Sequence, residues 1–498
     1  MIQLISINWR RLASSKKYMK QLIYPIFALI SLVSCYSKPN IVLIMADDFG
    51  AGSINAYGAP SELVRTPALN RLAEEGMRFT NANTPGSICS PTRYGLLTGQ
   101  YAWRGPLPFG VVNTDDPMVV ETDRVTMPKY FKKLGYQTAQ IGKWHLGYTS
   151  TKPVNYLSKL TPGPNDIGFD YHFGLPQNLD DKMRVWIEND GIYGLRSNRK
   201  SPYAKSFYGG IYMGFDAPQR VREEAMEFLT DRTIDWIKRA HRGNPEQPFF
   251  VYFAQPSVHH PVVPSEEMRG ASGAGAYGDF IQDTDLSVGR IIAALEYEGI
   301  ADETIIIFTS DNGADIPTNN RMRPENQAQR MGLNANGVFR GDKHTIYEGG
   351  VRVPLIVRWD GKVAEGIVSD RMINIADIYS TLVEAVSGEK PTGEEAPDSV
   401  SFAPTMLGES QEARAAMITS NVAGLHAIRE GDWKYIDGRY PKGTPQNFMK
   451  STKKQSVKAL YNLKVDPSET KNVVDDYPEL VGRMQQMLDD LRANTTRK

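Results

Sequence analysis

Cysteine is almost missing from this chain: there are two in 498 residues, Cys35 and Cys89. With Cys35 in the N-terminal leader, Cys89 has no partner in the mature chain, so a disulfide-stapled scaffold is excluded. Past the leader no apolar run approaches the roughly 20 residues that span a bilayer, which excludes a helical membrane bundle. Excess charge is lacking too, with 57 Lys and Arg against 57 Asp and Glu. That balance gives no electrostatic case for nucleic acid as a partner. The sequence shows no internal repeat and no low-complexity tract. What is there is a globular, enzyme-like composition, 41% hydrophobic and 23% charged.

Arg10, Arg11, Lys16, Lys17 and Lys20 precede an apolar run over 22–33 that Pro25 and Ser31 interrupt. A basic stretch followed by a short apolar one predicts an export signal over residues 1–34. It ends in Leu32-Val33-Ser34-Cys35, which resembles a bacterial lipobox. That resemblance implies that Cys35 is lipidated and tethers the protein to a membrane, in the periplasm or at the outer-membrane surface. A plain cleaved signal and an uncleaved anchor are the alternatives, and Met19 is an alternative start. The leader carries five positive charges and no carboxylate, so removing it takes the net charge from zero to −5. A polyanionic substrate would then need a local basic site. The 464 residues after the leader predict two domains. The larger covers 35–390 and the smaller 391–498, with a stretch rich in Pro, Gly, Ser and Glu between them.

Short apolar runs alternate with amphipathic segments, which predicts an α/β fold with a mostly parallel sheet. Strands are expected at 41–46, 138–141, 249–254, 304–309 and 354–358, and helices at 67–75, 221–239 and 277–295. Toward the C-terminus, 426–429 and 433–436 flank Glu430-Gly431-Asp432 as a hairpin. A strand at 459–463 and a helix at 478–493 follow.

In open α/β sheets ligands bind beyond the carboxyl ends of the strands. Asp47-Asp48 follows the first strand, and Ser310-Asp311-Asn312-Gly313 follows the strand at 304–309. Singly, each reads as a turn or a helix cap. Together, three carboxylates and an amide make an oxygen-rich cage for a hard divalent cation. Lys143 and His145 follow the strand at 138–141, and His259-His260-Pro261 follows the one at 249–254. Pro91 suits the first turn of a helix, which would place Cys89 at its N-terminus, where free N–H groups favour negative charge. Arg93, one turn on, could reach the same point. An inert buried cysteine is the alternative.

Cys89-Ser90-Pro91-Thr92-Arg93, followed by Leu96-Leu97-Thr98-Gly99, resembles the signature of the type I sulfatases. Gly142-Lys143-Trp144-His145-Leu146-Gly147 is similar to a second sulfatase element. Arg340-Gly341-Asp342-Lys343 with Glu348-Gly349-Gly350-Val351-Arg352-Val353-Pro354 is similar to a third. Leu460-Tyr461-Asn462-Leu463 resembles their C-terminal subdomain. The resemblance implies an alkaline-phosphatase-like α/β/α sandwich with a smaller C-terminal α/β subdomain built on an antiparallel sheet. It implies that a formylglycine-generating enzyme oxidises Cys89 to formylglycine. Calcium would be held by Asp47, Asp48, Asp311 and Asn312 together with residue 89. Arg93, Lys143, His145, His259 and Lys343 would be catalytic, with His259 matched through a His-x-Pro element. Arg340, Glu348 and Arg352 would organise their loop.

The activity expected from this resemblance is hydrolysis of sulfate esters on a sulfated polysaccharide, an algal glycan such as ulvan or carrageenan, or a glycosaminoglycan. A phosphodiesterase or phosphonate monoester hydrolase of the same superfamily is the first rival, and a non-catalytic glycan-binding lipoprotein the second. Arg104, His172 and His260 are candidate sugar contacts. So are the aromatic residues Trp103, Tyr171, Trp186 and Tyr193 and the cation Arg196, because aromatic platforms and cations suit a sulfated sugar.

Overall fold

Buried runs of Val, Ile and Phe build the centre of the molecule. The computed structural model describes residues 38–200, 212–316, 321–410, 414–452 and 458–493; the leader with Cys35 lies outside them. The principal strands are β1 (Asn40–Ala46), β2 (Met77–Asn83), β3 (Gln137–Lys143), β4 (Tyr171–Leu175), β5 (Phe249–Ala254), β6 (Thr304–Ser310) and β7 (Arg352–Arg358). They lie side by side in the order β2-β7-β6-β1-β5-β3-β4, and short strands extend both edges. β1 is parallel to β5 and β6, and β3 is parallel to β5 and β4.

Side chains alternate across the pleat, so each strand feeds two cores. Ile41, Leu43 and Met45 point to one face, while Val42, Ile44 and Ala46 point to the other. The first face is covered by the helices Cys89–Thr98, Met127–Lys133 and Asp377–Ser387, which bury Leu96, Leu97, Phe131, Ile378 and Leu382. The second is covered by Pro67–Glu74, Ala225–Gly243 and Gly275–Tyr297, which bury Leu69, Leu229, Phe280 and Ile291. Helices on both faces make the α/β/α sandwich expected from the sequence. Each fully buried Leu or Ile of this kind contributes about 1.5–3 kcal/mol.

Two expectations are corrected. The strand at 354–358 was expected to be parallel, but β7 runs antiparallel to both β6 and β2. Its N-terminal end therefore lies at the edge where the parallel strands finish, so the loop before β7 reaches the site. The helix expected from 221 begins at Ala225. Just before it Arg220 is fully buried, paired with Asp181 at 2.9 Å and donating to the carbonyls of Leu179, Val185 and Asn178.

β8 (Met417–Ser420), β9 (His426–Glu430), β10 (Trp433–Ile436) and β11 (Ala459–Asn462) form a second, antiparallel sheet. The helix Pro478–Ala493 packs Val481, Met484 and Leu488 onto Ile418, Ile428, Tyr435 and Leu460. The spacing of three, then four, is that of one helical face. Both sheets belong to one compact unit, Pro39–Lys498. No helix among the described residues is long and apolar enough to cross a membrane.

Candidate active site

Four strand ends and the start of one helix converge on a single point. Cys89 opens the helix Cys89–Thr98, which is buried on every side and ends at Gly99. Gly99 has φ +60°, and a Cβ there would lie 2.5 Å from that of Ala396, so the Leu-Leu-Thr-Gly stop requires glycine. Gly142 is equally constrained, because a Cβ would fall 1.9 Å from the Ala254 carbonyl of the neighbouring strand. That close pairing brings β3 and β5 together and delivers Lys143 to the site.

Lys143 Nζ lies 2.6 Å from Asp47 Oδ2 and 3.5 Å from Cys89 Sγ. The thiol lies 3.5 Å from Asp47 Oδ1. On the other side, Lys343 Nζ lies 2.7 Å from Asp48 Oδ1, and Asn312 Nδ2 donates to the same oxygen at 2.7 Å. Arg93 donates through Nε and Nη2 to Asp311 Oδ2, at 3.0 and 2.7 Å, and through Nη1 to the Lys143 carbonyl. It thus sits behind the carboxylates and fixes them, rather than touching the thiol. His259 Nε2 stands 3.7 Å from Asp48 Oδ2, and its Nδ1 donates to the His260 carbonyl.

Burial governs the electrostatics. It pushes the Cys89 thiol up, helped by Asp311. Burial also opposes charge on Lys343, yet the neighbouring carboxylates, Asp48 first, hold its ammonium charged. Burial and the surrounding cations, Lys143 first, push His145 well below the ordinary histidine range. Burial and Lys343 do the same to His259.

Two kinds of buried atom lack a hydrogen-bond partner here. Among the described residues Asn312 Oδ1 has no donor, and the His145 ring nitrogens have no partner in full hydrogen-bond geometry, the Val112 backbone being near enough to act on the ring. A buried carbonyl oxygen left free beside Asp47, Asp48 and Asp311 is what a hard cation would satisfy, and these oxygens suit calcium or magnesium. Ligand atoms of Asp47, Asp48, Cys89 and His259 lie within 4.8 Å of one another.

The structure also gives roles to motif residues and identifies two partners, Lys434 and Glu469, that the motifs do not reveal. Ser90 Oγ donates to the His145 carbonyl and accepts from the Val112 amide, tying the helix start to two loops. Glu348, in the loop before β7, accepts from Asn83 and Arg352 and pairs with Lys434 at 2.9 Å. Lys434 also pairs with Glu469, whose carboxylate accepts the Glu348 amide. Arg340 donates to the Glu469 carbonyl. The second sheet therefore clamps the loop that carries Lys343, the organising role expected of Arg340, Glu348 and Arg352.

Several residues expected as sugar contacts are engaged with other parts of the protein. Arg104 is paired with Asp398 at 2.8 Å and donates to the Leu491 carbonyl, so it ties the loop at 398 to the C-terminal helix. His172 is fully buried, hydrogen-bonded to Tyr148 and Gln140. Trp186 is buried under Arg220. Tyr171 is engaged with Glu188, Tyr193 meets Phe173 edge to face and lies under Arg232, and Arg196 pairs with Asp216. Trp103 lies between Tyr101 and His426, beneath Arg104. Only His260 of the three named contacts borders the site, half-buried beside His259 with ring centroids 4.4 Å apart.

Comparison with known proteins agrees with this geometry. Residues 39–388 match the sulfatase family model, and residues 336–494 match that of the N-sulphoglucosamine sulphohydrolase C-terminal region. The chain is 32% identical to an N-acetylgalactosamine-6-O-sulfatase of Bacteroides thetaiotaomicron, over 91% of this chain and 93% of that protein. It is 29% identical to bovine arylsulfatase A, over 93% of this chain and 89% of that one. A solved structure from work on the metabolism of multiple glycosaminoglycans by Bacteroides thetaiotaomicron superposes with a TM-score of 0.82. That match has 31% identity and covers 92% of this chain and 100% of the other. The matched region takes in every strand end that meets at Cys89, and the chain belongs to the sulfatase family, the hydrolases of sulfate esters.

Proposed function

We propose that this sulfatase removes a 6-O-sulfate from N-acetylgalactosamine in a glycosaminoglycan, using residue 89 oxidised to formylglycine and one calcium ion. The observation that carries the reading is the meeting of Cys89 Sγ with Lys143 Nζ and Asp47 Oδ1, each at 3.5 Å, at a helix N-terminus. The choice of sugar is supported by the relative at 32% identity that is itself an N-acetylgalactosamine-6-O-sulfatase.

A sulfate ester is an anion that repels nucleophiles, so the site must first neutralise charge. Lys143 and Lys343, both buried and each paired with a carboxylate, stand where they can meet the sulfate oxygens. Asp47, Asp48, Asp311 and the free Asn312 Oδ1 would hold calcium, which would add Lewis-acid polarisation. Formylglycine, as its hydrate, would supply one hydroxyl to attack sulfur and a second whose deprotonation releases sulfate. His145, whose ring nitrogens have no partner in full hydrogen-bond geometry among the described residues, is placed to take that proton. His259 has its Nδ1 proton committed to the His260 carbonyl, so Nε2 is the atom that faces the leaving oxygen. Because burial and Lys343 disfavour the charged ring, Nε2 would carry a proton to that oxygen only once the negative charge of the bound sulfate ester favours its protonation. Arg93 keeps Asp311 and the Lys143 carbonyl in register.

Oligosaccharides sulfated at one defined position test the assignment. Matured holoenzyme should release sulfate fastest from C6 of N-acetylgalactosamine. Release from algal glycans alone would move the substrate class, and faster turnover of aryl phosphodiesters than of any sulfate would favour the phosphodiesterase reading. Maturation by a formylglycine-generating enzyme and lipid attachment at Cys35 belong to the same proposal. The basic and then apolar leader supports the second, and Cys35→Ala should move the protein from the membrane to the soluble fraction or block its processing.

A further inference from the structure

Next to His259 lies a second polar cluster that the chemistry above does not use. His260 Nδ1 stands 3.4 Å from Asp315 Oδ2. Arg323 spans both, its Nη1 3.3 Å from His260 Nδ1 and 3.8 Å from Asp315 Oδ2. The side chains of His260, Asp315 and Arg323 are 13%, 11% and 26% exposed, whereas those of Asp48 and Lys343 are at 2% and 4%. The cluster is thus a rim on the side of the site where His259 meets the departing oxygen.

Two buried atoms of the same neighbourhood lack a hydrogen-bond partner among the described residues, Glu325 Oε2 and the Tyr277 hydroxyl. Asp315, His260 and Arg323 are among the charges that act on Glu325, and Glu325, Asp48 and Asp315 act on Tyr277. Asp48, His260 and Asp315 also bring ligand atoms within 4.8 Å of one another. Arg323 already supplies a positive counter-charge there, so hydrogen bonding to a ligand suits the cluster better than a second cation does.

The rim offers the Asp315 carboxylate against one guanidinium, and Glu325, buried in the first turn of the helix that follows Arg323, adds a second carboxylate behind them. Carboxylates accept from a sugar hydroxyl. A second sulfate would meet the same carboxylates as a like charge in a partly dry site, where screening is weak. We propose that Asp315, His260 and Arg323, backed by the buried Glu325, form a hydroxyl-reading wall. It accepts a sugar whose hydroxyl nearest the scissile ester is free and rejects the same sugar when that hydroxyl is sulfated. Selection then works by repulsion as well as by fit. The inference rests on the sulfated-sugar reading of the site given above.

The test compares 6-sulfated with 4,6-disulfated N-acetylgalactosamine, following release of the 6-sulfate by matured holoenzyme. Wild type should favour the monosulfated sugar in kcat/KM by about tenfold or more, the scale reached when a site's polar groups discriminate. Asp315→Asn and Glu325→Gln should each narrow that ratio by about threefold or more. Nitrophenyl sulfate turnover shows which variants are folded and matured, so either variant can carry the test if the other is lost. Equal handling of the two sugars by wild type overturns the inference and leaves the sulfated-sugar reading standing. A preference that neither variant narrows overturns it as well. Turnover of nitrophenyl sulfate with no action on either sugar removes the sugar reading itself, and the inference falls with it.

Discussion

The floor of this site and its rim are built in different ways. On the floor, Asp47, Lys143, Arg93 and Asp311 are fully buried, and each charge has an opposite charge within 3 Å. They come from the ends of parallel strands and a buried helix, elements whose positions the two cores fix. On the rim, His260, Asp315 and Arg323 stand on loops, part-exposed, at contacts of 3.3–3.8 Å. The contrast separates two tasks. Holding a sulfate ester demands preorganised charge in a dry place, where it costs no reorganisation at the moment of reaction. Choosing which sugar carries that ester can be left to looser groups.

Loss of floor residues should therefore be catastrophic, and loss of rim residues selective. The largest effect is expected for Cys89→Ser in a host that matures only cysteine, with turnover down by more than about a thousandfold on every substrate. Lys343→Met should cost about a hundred- to a thousandfold, the scale of a lost charge-stabilising donor, again irrespective of the leaving group. His259→Ala stands at the border between floor and rim. It should lose about a hundredfold or more on sulfated sugar yet much less on nitrophenyl sulfate, whose leaving oxygen needs little protonation. His260→Ala should show no such contrast and should change KM more than kcat. If these two variants exchange behaviours, the proton donor is His260 and the border has been drawn on the wrong residue.

Smaller effects should fall on stability. Arg104→Ala leaves Asp398 buried without its ion-pair partner. It should lower unfolding stability by a few kcal/mol, about the cost of breaking a buried pair, while KM stays unchanged. His172 is pushed down to about 3 by burial, from an ordinary value near 6.5. Below about pH 6.5 the unfolded chain binds a proton that the folded chain refuses. This contribution is therefore complete above that pH and is lost progressively as pH falls toward 3. His172→Gln should flatten the acid side of a stability profile measured by urea unfolding, and an unchanged slope would mean that His172 does not contribute to it.

The floor was legible in the sequence because its residues follow apolar runs directly: Asp47-Asp48 after β1, Lys143 at the end of β3, Asp311-Asn312 after β6. Strand direction was not legible, since a buried apolar run such as that of β7 reads the same either way. Partners far along the chain were hidden as well. Arg104 was read as a sugar contact because nothing near it foretells Asp398, 294 positions on. Lys434 and Glu469 sit in ordinary-looking strand and turn sequences, and only folding brings them to Glu348. Likewise Asp315 and Arg323 carry no motif, and their pairing with His260 depends on loop geometry that no periodicity encodes.

The central claim is that this buried, charge-paired floor acts through an oxidised Cys89, which stands at a helix N-terminus 3.5 Å from both Lys143 Nζ and Asp47 Oδ1. Peptide mass spectrometry across residue 89, on protein purified from a host able to mature it and assayed in the same preparation, tests this directly. The account predicts an aldehyde at position 89, in a fraction of molecules that rises in proportion to specific activity. Full sulfatase activity in a preparation whose residue 89 is entirely unmodified cysteine would contradict it.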